Sequence, residues 1–289
     1  MRVATRSSAL ALAQAGQVAE ALGPQAELVE VDADLPPEAG DKERFTRGVE
    51  RLLLDGQAEA AVHSAKDLPG EMTAGLAIGA VPARVDPRDA WIGPGGSIEE
   101  IPDGARVGTA SLRRRAQLKA LRPDLQMVEL RGNVDTRLRK LEAGDADGLV
   151  LAMAGLQRLG RDHVVSFAFD EEQMTPAAGQ GCLVVQTRTG GEAQVEGISD
   201  PNSLTRLTAE RAAVVGLGAD CSSPVGVHAR LEGNWLVIDA FAGRSDGSVW
   251  VRDRVEGDPA RPESLGRELA ERMLRAGASE AMAGSTLSD

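Results

Sequence analysis

Segments of strand length alternate with segments of helix length through the first half of the chain. The strand candidates are residues 3–5, 26–31, 60–64, 76–81, 90–92, 106–108, 126–130 and 148–152. The helix candidates between them are residues 9–22, 45–55, 111–121, 134–143 and 153–159. Strands that alternate with helices form mostly parallel sheets with helices packed on them. The order therefore predicts an α/β fold with two doubly wound lobes, and the chain passes from the first lobe to the second near Val85.

The last third of the chain has a different pattern. Residues 182–187 are one more buried-strand candidate, which we expect to return to the first lobe. The elements that follow are a helix at 204–217, alternating runs at 227–231, 236–241 and 249–255, and a helix at 262–276. Alternating runs are typical of an antiparallel sheet with one buried face, which indicates a small α+β domain. We therefore predict three domains: residues 1–82 with 182–199, residues 87–175, and residues 201–289.

Three arginines begin one of the predicted helices. Ser111 is the predicted N-cap, and Arg113, Arg114 and Arg115 follow it. Because a helix N-terminus carries partial positive charge and favours acidic residues, three arginines are an unfavourable choice there. Such conflicts are expected at functional sites, and free N–H groups beside guanidinium groups bind anions. The alternative for this stretch taken alone is a solvated arginine face.

Polar and cationic side chains follow three further strand ends. They are Arg6 and Ser8, then Ser64 and Lys66 with Asp67, then Arg131 with Arg137. In open α/β sheets, ligands bind beyond the carboxyl ends of the strands. Four such ends predict one cleft that binds a polyanion.

Composition restricts the class of partner. The net charge is −12 and only 2% of residues are aromatic, which disfavours nucleic acid, whose binding uses basic faces and stacking platforms. No stretch approaches the roughly 20 apolar residues of a membrane span. The first residues show no leader, so we expect a cytoplasmic protein. Two cysteines, Cys182 and Cys221, are too few for a disulfide framework.

Asp67 and Cys221 are the residues that could carry out chemistry. Among cations, Asp67 could transfer protons or stabilise a cationic intermediate, and an ordinary ion pair is the alternative. Lys66 could form a Schiff base, although its arginine-rich neighbours favour anion binding. Cys221 lies in a short loop and is either reactive or inert, whereas Cys182 falls in a buried-strand candidate. The histidines lack zinc-ligand spacing, so we predict no metal site and a core role for His63.

Several stretches together resemble the porphobilinogen deaminases, also called hydroxymethylbilane synthases. They are residues 3–8 (VATRSS), 61–69 (AVHSAKDLP), 86–90 (DPRDA), 108–114 (GTASLRR), 130–133 (LRGN), 151–156 (LAMAGL), 176–181 (PAAGQG) and 224–226 (PVG) with Cys221. The stretches occur in the family's order and span nearly the whole chain.

The resemblance implies a three-domain transferase whose first two domains are similar to the lobes of type II periplasmic binding proteins. It implies a dipyrromethane cofactor, linked to Cys221 by a thioether, on which four porphobilinogen units are joined head to tail with loss of ammonia. Water then releases hydroxymethylbilane, and Asp67 matches the family's catalytic acid. The residues matched to cofactor and substrate binding are Arg6, Ser8, Ser64, Lys66, Thr109, Ser111, Arg113, Arg114, Arg131, Arg137 and Arg158. Nothing in the sequence requires an oligomer, so we expect a monomer.

The chain departs from the family pattern in two loops. The family has Thr-x-Gly-Asp and then Gly-Gly-Lys-Gly before a Phe, whereas residues 40–45 here read GDKERF in a shorter loop, with Lys42 and Phe45 as the matched lid residues. Asp220 stands where the family has a small residue, and its charge would raise the pKa of the Cys221 thiol. The competing class of function is a non-catalytic, two-lobed protein that binds or senses small anions.

Overall fold

The computed structural model of the protein describes residues 1–31, 43–220 and 222–283, without the side chains of residues 43–45. The chain divides into two compact units, Met1–Val85 with Gly181–Leu204, and Asp86–Gln180 with Thr205–Asp289. The three predicted domain ranges stay a prediction. None of the helices in the described ranges has both the length and the apolar composition that a membrane span requires.

The secondary structure follows the predicted alternation. The strands are β1 (Arg2–Arg6), β2 (Glu27–Val31), β3 (Ala60–Ser64), β4 (Leu76–Ala80), β5 (Asp89–Ile92), β6 (Arg106–Gly108), β7 (Gln126–Val128), β8 (Gly148–Ala152), β9 (Phe167–Ala168), β10 (Leu183–Arg188), β11 (Val225–Glu232), β12 (Trp235–Gly243) and β13 (Trp250–Gly257). The α-helices are α1 (Ala9–Leu22), α2 (Glu43–Leu54), α3 (Leu112–Leu121), α4 (Val134–Glu142), α5 (Met153–Arg158), α6 (Pro201–Gly216), α7 (Pro262–Arg275) and α8 (Ala278–Met282). Short 3-10 helices span Ala65–Asp67, Asp162–Val164, Glu192–Gln194 and Glu196–Ile198.

The first unit contains a five-stranded sheet of order β2-β1-β3-β10-β4. Strand β1 runs parallel to β2 and β3, whereas β10 runs antiparallel to β3 and β4. The predicted return of the chain to this sheet is therefore confirmed. Val3 packs in one apolar cluster with Val18 of α1, and Ala4 packs in another with Leu53 of α2. Because adjacent residues of a strand point to opposite faces, the two helices cover both sides of the sheet.

The second unit contains a sheet of the same design, with the order β7-β6-β8-β5-β9. Strand β6 is parallel to both of its neighbours, and β5 is antiparallel to β8 and β9. Val150 packs with Leu118 of α3, while Leu149 packs with Leu156 of α5 in a separate cluster. The two sheets confirm the predicted α/β class with helices on both faces.

A third sheet, of order β11-β12-β13, is entirely antiparallel and confirms the predicted C-terminal α+β part. Its buried face packs against α6 and α7, through residues that include Ala213, Ile238 and Leu269. Strand β9 and helix α8 were not predicted, because they have two and five residues and are too short to show a period. Residues 40–42 of the shortened loop lie outside the described residues.

Candidate functional site

The carboxyl ends of β1 and β3 lie at the same edge of the first sheet, because the two strands are parallel neighbours. Arg6 ends β1, Ser64 ends β3, and the 3-10 turn that follows carries Lys66 and Asp67. Ser8 caps α1, and its hydroxyl accepts a hydrogen bond of 3.3 Å from the N–H of the helix's third residue. The structure thus brings these predicted residues of the first unit to one edge.

Arg6 and Asp67 interact electrostatically. Burial lowers the pKa of the Arg6 guanidinium, and the negative charge of Asp67 opposes this lowering. Both side chains keep some exposed surface. A partly exposed carboxylate beside a cation can donate a proton or stabilise a positive charge that develops on a bound molecule.

His63 belongs to a buried polar network behind this edge. Its Nε2 lies 3.1 Å from Oε1 of Gln186, whose Nε2 donates a hydrogen bond of 2.8 Å to Glu50. Thr73 donates to the other oxygen of Glu50 at 2.9 Å. Because the Gln186 oxygen faces His63, Nε2 of the imidazole carries the hydrogen. Burial lowers the pKa of His63 to about 4, so the ring is neutral, in agreement with the predicted core role.

The carboxyl ends of β6, β7 and β8 also lie together, because β6 is parallel to both neighbours. Thr109 follows β6 and is buried. Ser111 caps α3 as predicted, and its hydroxyl accepts a 3.5 Å hydrogen bond from the Arg114 N–H. Asn133 caps α4, its side chain accepting a 2.9 Å hydrogen bond from the Thr136 N–H.

Two of the α3 arginines share one buried carboxylate, that of Asp89 in β5. Arg113 donates from Nη1 to Oδ2 of Asp89 at 2.7 Å, and Arg114 donates from Nε to Oδ1 at 2.9 Å. Burial alone would raise the pKa of Asp89, but the charges of the two arginines hold it well below its ordinary value. All three side chains are at least nine-tenths buried, so the pair of arginines is not a solvated surface. The cluster carries a net charge of +1.

Arg137, in the first turns of α4, adds a third cation. Its Nε donates to the Gly132 carbonyl at 2.8 Å, and among the described residues it has no carboxylate partner. Burial, and secondly the charge of Arg114, lower the pKa of Arg137 to about 10. A partly buried guanidinium with this surplus of positive charge is suited to binding a carboxylate from outside the chain.

The remaining predicted arginines of this unit have other surroundings. Arg131 is hydrogen-bonded to Glu129, and 61% of its side chain is exposed. Arg158 ends α5 and is partly buried. The structure therefore gathers Arg113, Arg114 and Arg137.

The predicted cofactor cysteine and lid residues are not described. Cys221 and Lys42 lie outside the described residues, as does the Phe45 side chain. Next to Cys221, the Asp220 carboxylate accepts hydrogen bonds from the backbone and hydroxyl of Ser222 at 2.8 and 2.7 Å. Burial would raise the pKa of Asp220, but these bonds and one from the Ser223 hydroxyl lower it, so the side chain is charged and engaged within its own loop.

Two functional candidates were missed in the sequence. Asp89 anchors the arginine pair, and Gln180 donates a 3.0 Å hydrogen bond to it. The sequence did contain a signal for Asp89, because its carboxylate directly precedes the apolar residues of the segment Asp89–Ile92. A charged residue within a buried strand needs a partner of opposite charge. In the described part of the chain, no group of three or more His, Cys, Asp or Glu residues could hold a metal ion.

Comparison with known families gives two matches that follow each other along the chain. The model described as "Porphobilinogen deaminase, dipyromethane cofactor binding domain" matches residues 1–196. The model described as "Porphobilinogen deaminase, C-terminal domain" matches residues 204–275.

Curated relatives agree with these matches. A porphobilinogen deaminase of Roseiflexus castenholzii is 41% identical over 300 residues, which cover 98% of this chain and 99% of that protein. A porphobilinogen deaminase of Deinococcus radiodurans is 44% identical over 246 residues, which cover 83% of this chain and 80% of the relative.

Among solved structures, a TRAP periplasmic solute binding protein from Desulfovibrio salexigens is similar with a TM-score of 0.41 and 10% identity, covering 69% of this chain and 72% of that one. The BvgS periplasmic VFT2 domain of Bordetella pertussis gives a TM-score of 0.39 and 15% identity, covering 67% of this chain and 84% of that one. Similarity at this level supports no statement about the ligand.

Proposed function

Because the chain belongs to the porphobilinogen deaminase family, we propose that it is a hydroxymethylbilane synthase. This transferase joins four porphobilinogen molecules head to tail, and each addition releases one ammonia. Water then releases the linear tetrapyrrole. The dipyrromethane cofactor, when bound, supplies the primer to which the substrate units are attached.

The observation that carries this proposal is the surplus of buried positive charge in the second unit. Asp89 pairs with Arg113 and Arg114, and Arg137 has no carboxylate partner among the described residues. Two of the three positive charges are therefore unmatched within this group. Every pyrrole of the cofactor and substrate carries an acetate and a propionate side chain. Guanidinium groups bind carboxylates through paired, charge-assisted hydrogen bonds, so the residues present fit the cofactor and the growing chain.

We assign binding and attachment as follows. Arg137 and the nitrogens of Arg113 that Asp89 does not engage would bind carboxylates of the cofactor or substrate. The residues at the strand edge of the first unit would supply further donors, namely Arg6, Ser8, Ser64 and Lys66. The Cys221 thiol would form the thioether to the cofactor.

Asp67 is the proposed catalytic acid. It would give a proton to the departing amine and would stabilise, as a carboxylate, the positive charge that remains on the pyrrole.

Intact mass spectrometry tests the attachment. Protein made in cells that synthesise porphobilinogen should carry an increment of dipyrromethane size. The increment should be absent in Cys221→Ser and retained in the matched Cys182→Ser variant. An unmodified wild-type mass would contradict the proposal and favour the non-catalytic anion-binding alternative.

Turnover tests the role of Asp67. Asp67→Asn keeps the size of the side chain but removes its proton donor, so bilane formation from porphobilinogen should fall by at least about a hundredfold. Asp55→Asn is the matched control, because Asp55 lies at the end of α2 in an exposed ion pair with Arg51. Near-normal bilane production by Asp67→Asn, with the fold intact by circular dichroism, would remove Asp67 from this role.

We further propose that the enzyme acts as a monomer in the cytoplasm. Light scattering coupled to size exclusion tests the first part, and fractionation of the source cells tests the second.

A further inference from the structure

Asp89 lies near the start of the second unit, and its buried carboxylate pairs with Arg113 and Arg114. Its Oδ1 accepts hydrogen bonds from Arg114 Nε at 2.9 Å and from Gln180 Nε2 at 3.0 Å, and it lies 2.8 Å from Arg114 Nη2. Its Oδ2 accepts from Arg113 Nη1 at 2.7 Å. Asp89 itself has no exposed surface. Both oxygens accept hydrogen bonds from the protein and the side chain is fully buried, so Asp89 does not contact a substrate.

The two arginines differ in what they have left to offer. The three nitrogens of Arg114 all contact protein oxygens, since Nη1 donates to the Val150 carbonyl at 2.9 Å in addition to the contacts with Asp89. Arg113 uses Nη1 alone, for Asp89 and for the Thr175 carbonyl at 2.8 Å. Among the described residues, no hydrogen bond engages Nε or Nη2 of Arg113. Arg113 is thus held at one nitrogen and keeps the other two for a ligand.

The same cluster fixes the backbone around Arg113. Gln117, one turn further along α3, donates from Nε2 to the Thr175 carbonyl at 3.0 Å and accepts from the Thr175 N–H at 2.7 Å. Gln180 also donates to the Pro87 carbonyl at 2.6 Å. Gln180 is the last residue before the chain passes into the first unit, and Asp89 is the fourth residue after it enters the second. The orientation of Arg113 is therefore set by residues at both connecting segments.

We propose that Asp89 is a positioning residue for the reaction, which orients Arg113 so that its free nitrogens bind a carboxylate of the cofactor or substrate. Arg114 supports Asp89 in this arrangement, since each of its three nitrogens contacts a protein oxygen. This inference rests on the proposed function. It adds a role for a carboxylate that never contacts the reacting molecules.

The test distinguishes the orientation of Arg113 from the net charge of the cluster formed by Asp89, Arg113 and Arg114. Asp89→Asn alone leaves two buried arginines without a carboxylate, so we pair it with Arg114→Met. The double variant keeps the net charge of +1, now on Arg113 alone, and removes the carboxylate that orients Arg113. We expect the fraction of protein that carries the cofactor, measured by intact mass, to fall by about tenfold or more, because a charge-assisted contact of Arg113 is lost. In the loaded fraction we expect the KM for porphobilinogen to rise by about tenfold while kcat changes much less.

Glu50→Gln is the matched control. Glu50 is a buried carboxylate of the first unit that accepts hydrogen bonds from Gln186 and Thr73, without an arginine among these partners. Its loss should lower the melting temperature and leave loading and KM unchanged. If the folded double variant shows wild-type loading and KM, or if its only change is a lower melting temperature, the inference is wrong. Absence of the adduct and of turnover in the wild type would instead overturn the proposed function, and this inference with it.

Discussion

Replacing Arg137 with methionine should stabilise the cofactor-free protein and weaken its binding of porphobilinogen. The guanidinium is charged and partly buried, lies near Arg114, and has no carboxylate partner among the described residues. Each of these features makes the charged form less favourable in the folded chain than in the unfolded chain. Methionine is unbranched, replaces the aliphatic part of the arginine side chain and carries no charge.

The magnitude follows from the pKa of Arg137, which falls from 12.5 to about 10. At about 1.4 kcal/mol for each tenfold change, the charge costs on the order of 3 kcal/mol of folding free energy. The hydrogen bond from Arg137 Nε to the Gly132 carbonyl offsets about 1 kcal/mol of this. We therefore expect a net gain of about 1–2 kcal/mol, which corresponds to a rise in Tm of roughly 2–6 °C. Because Arg137 is protonated in both states below pH 10, the gain should be constant from pH 6 to 9.

Scanning calorimetry in a Cys221→Ser background measures this gain without the cofactor. Titration of the same protein with porphobilinogen should raise the Tm of the parent and leave that of Arg137→Met nearly unchanged. Arg139→Met is the matched control, because Arg139 is exposed on the same helix and donates a hydrogen bond to the uncharged Thr136 hydroxyl. A variant that is less stable than its parent, or that binds porphobilinogen equally well, would refute the assignment of Arg137 as an unpaired carboxylate-binding cation.

Two further predictions concern stability. Burial lowers the pKa of His63 to about 4 in the folded protein. As the pH falls below 6.5, His63 is therefore protonated in the unfolded chain before it is protonated in the folded one, which favours unfolding. Unfolding free energy should drop by up to about 1.4 kcal/mol per pH unit between 6.5 and 4, and His63→Asn should flatten this part of the profile in urea titrations. Gly148→Ala should cost about 1–3 kcal/mol, because its Cβ would lie 2.1 Å from the Trp91 ring. Gly16→Ala, in the interior of α1 with nothing within 4 Å, should instead stabilise by up to about 1 kcal/mol, and an equal loss in both variants would contradict the steric reasoning.

The periodicity of the sequence was sufficient to predict most of the fold. The apolar run that became β10 is bounded by glycines and polar residues, and its return to the first sheet followed from its position after the second lobe. The antiparallel pairing of β5 with β8 was not predictable in the same way. Strand direction within a sheet depends on which neighbours a strand meets, and these neighbours are distant in sequence.

The candidate site could likewise be predicted only where its interactions are between residues close in sequence. The cap residues Ser8 and Ser111 could be identified because a cap is a local interaction. The partner of Arg113 and Arg114 could not, because Asp89 precedes them by 24 and 25 residues and reaches them through the register of β5 in its sheet. Arg113 and Arg114 were therefore both predicted as ligand-binding residues, without a distinction between them.

Arg114 and Arg137 show how pairing decides what a buried arginine does. Burial lowers the pKa of Arg114, and the negative charge of Asp89 opposes this lowering. All three guanidinium nitrogens of Arg114 contact oxygens of the protein. Arg137 experiences burial and the charge of Arg114, and no carboxylate of the described residues compensates for them. A buried charge without a partner lowers stability until an opposite charge binds, whereas a paired one fixes the geometry of its neighbours. We therefore expect that a carboxylate bound by Arg137 would remove the unfavourable free energy there, and that the paired cluster around Asp89 would orient Arg113.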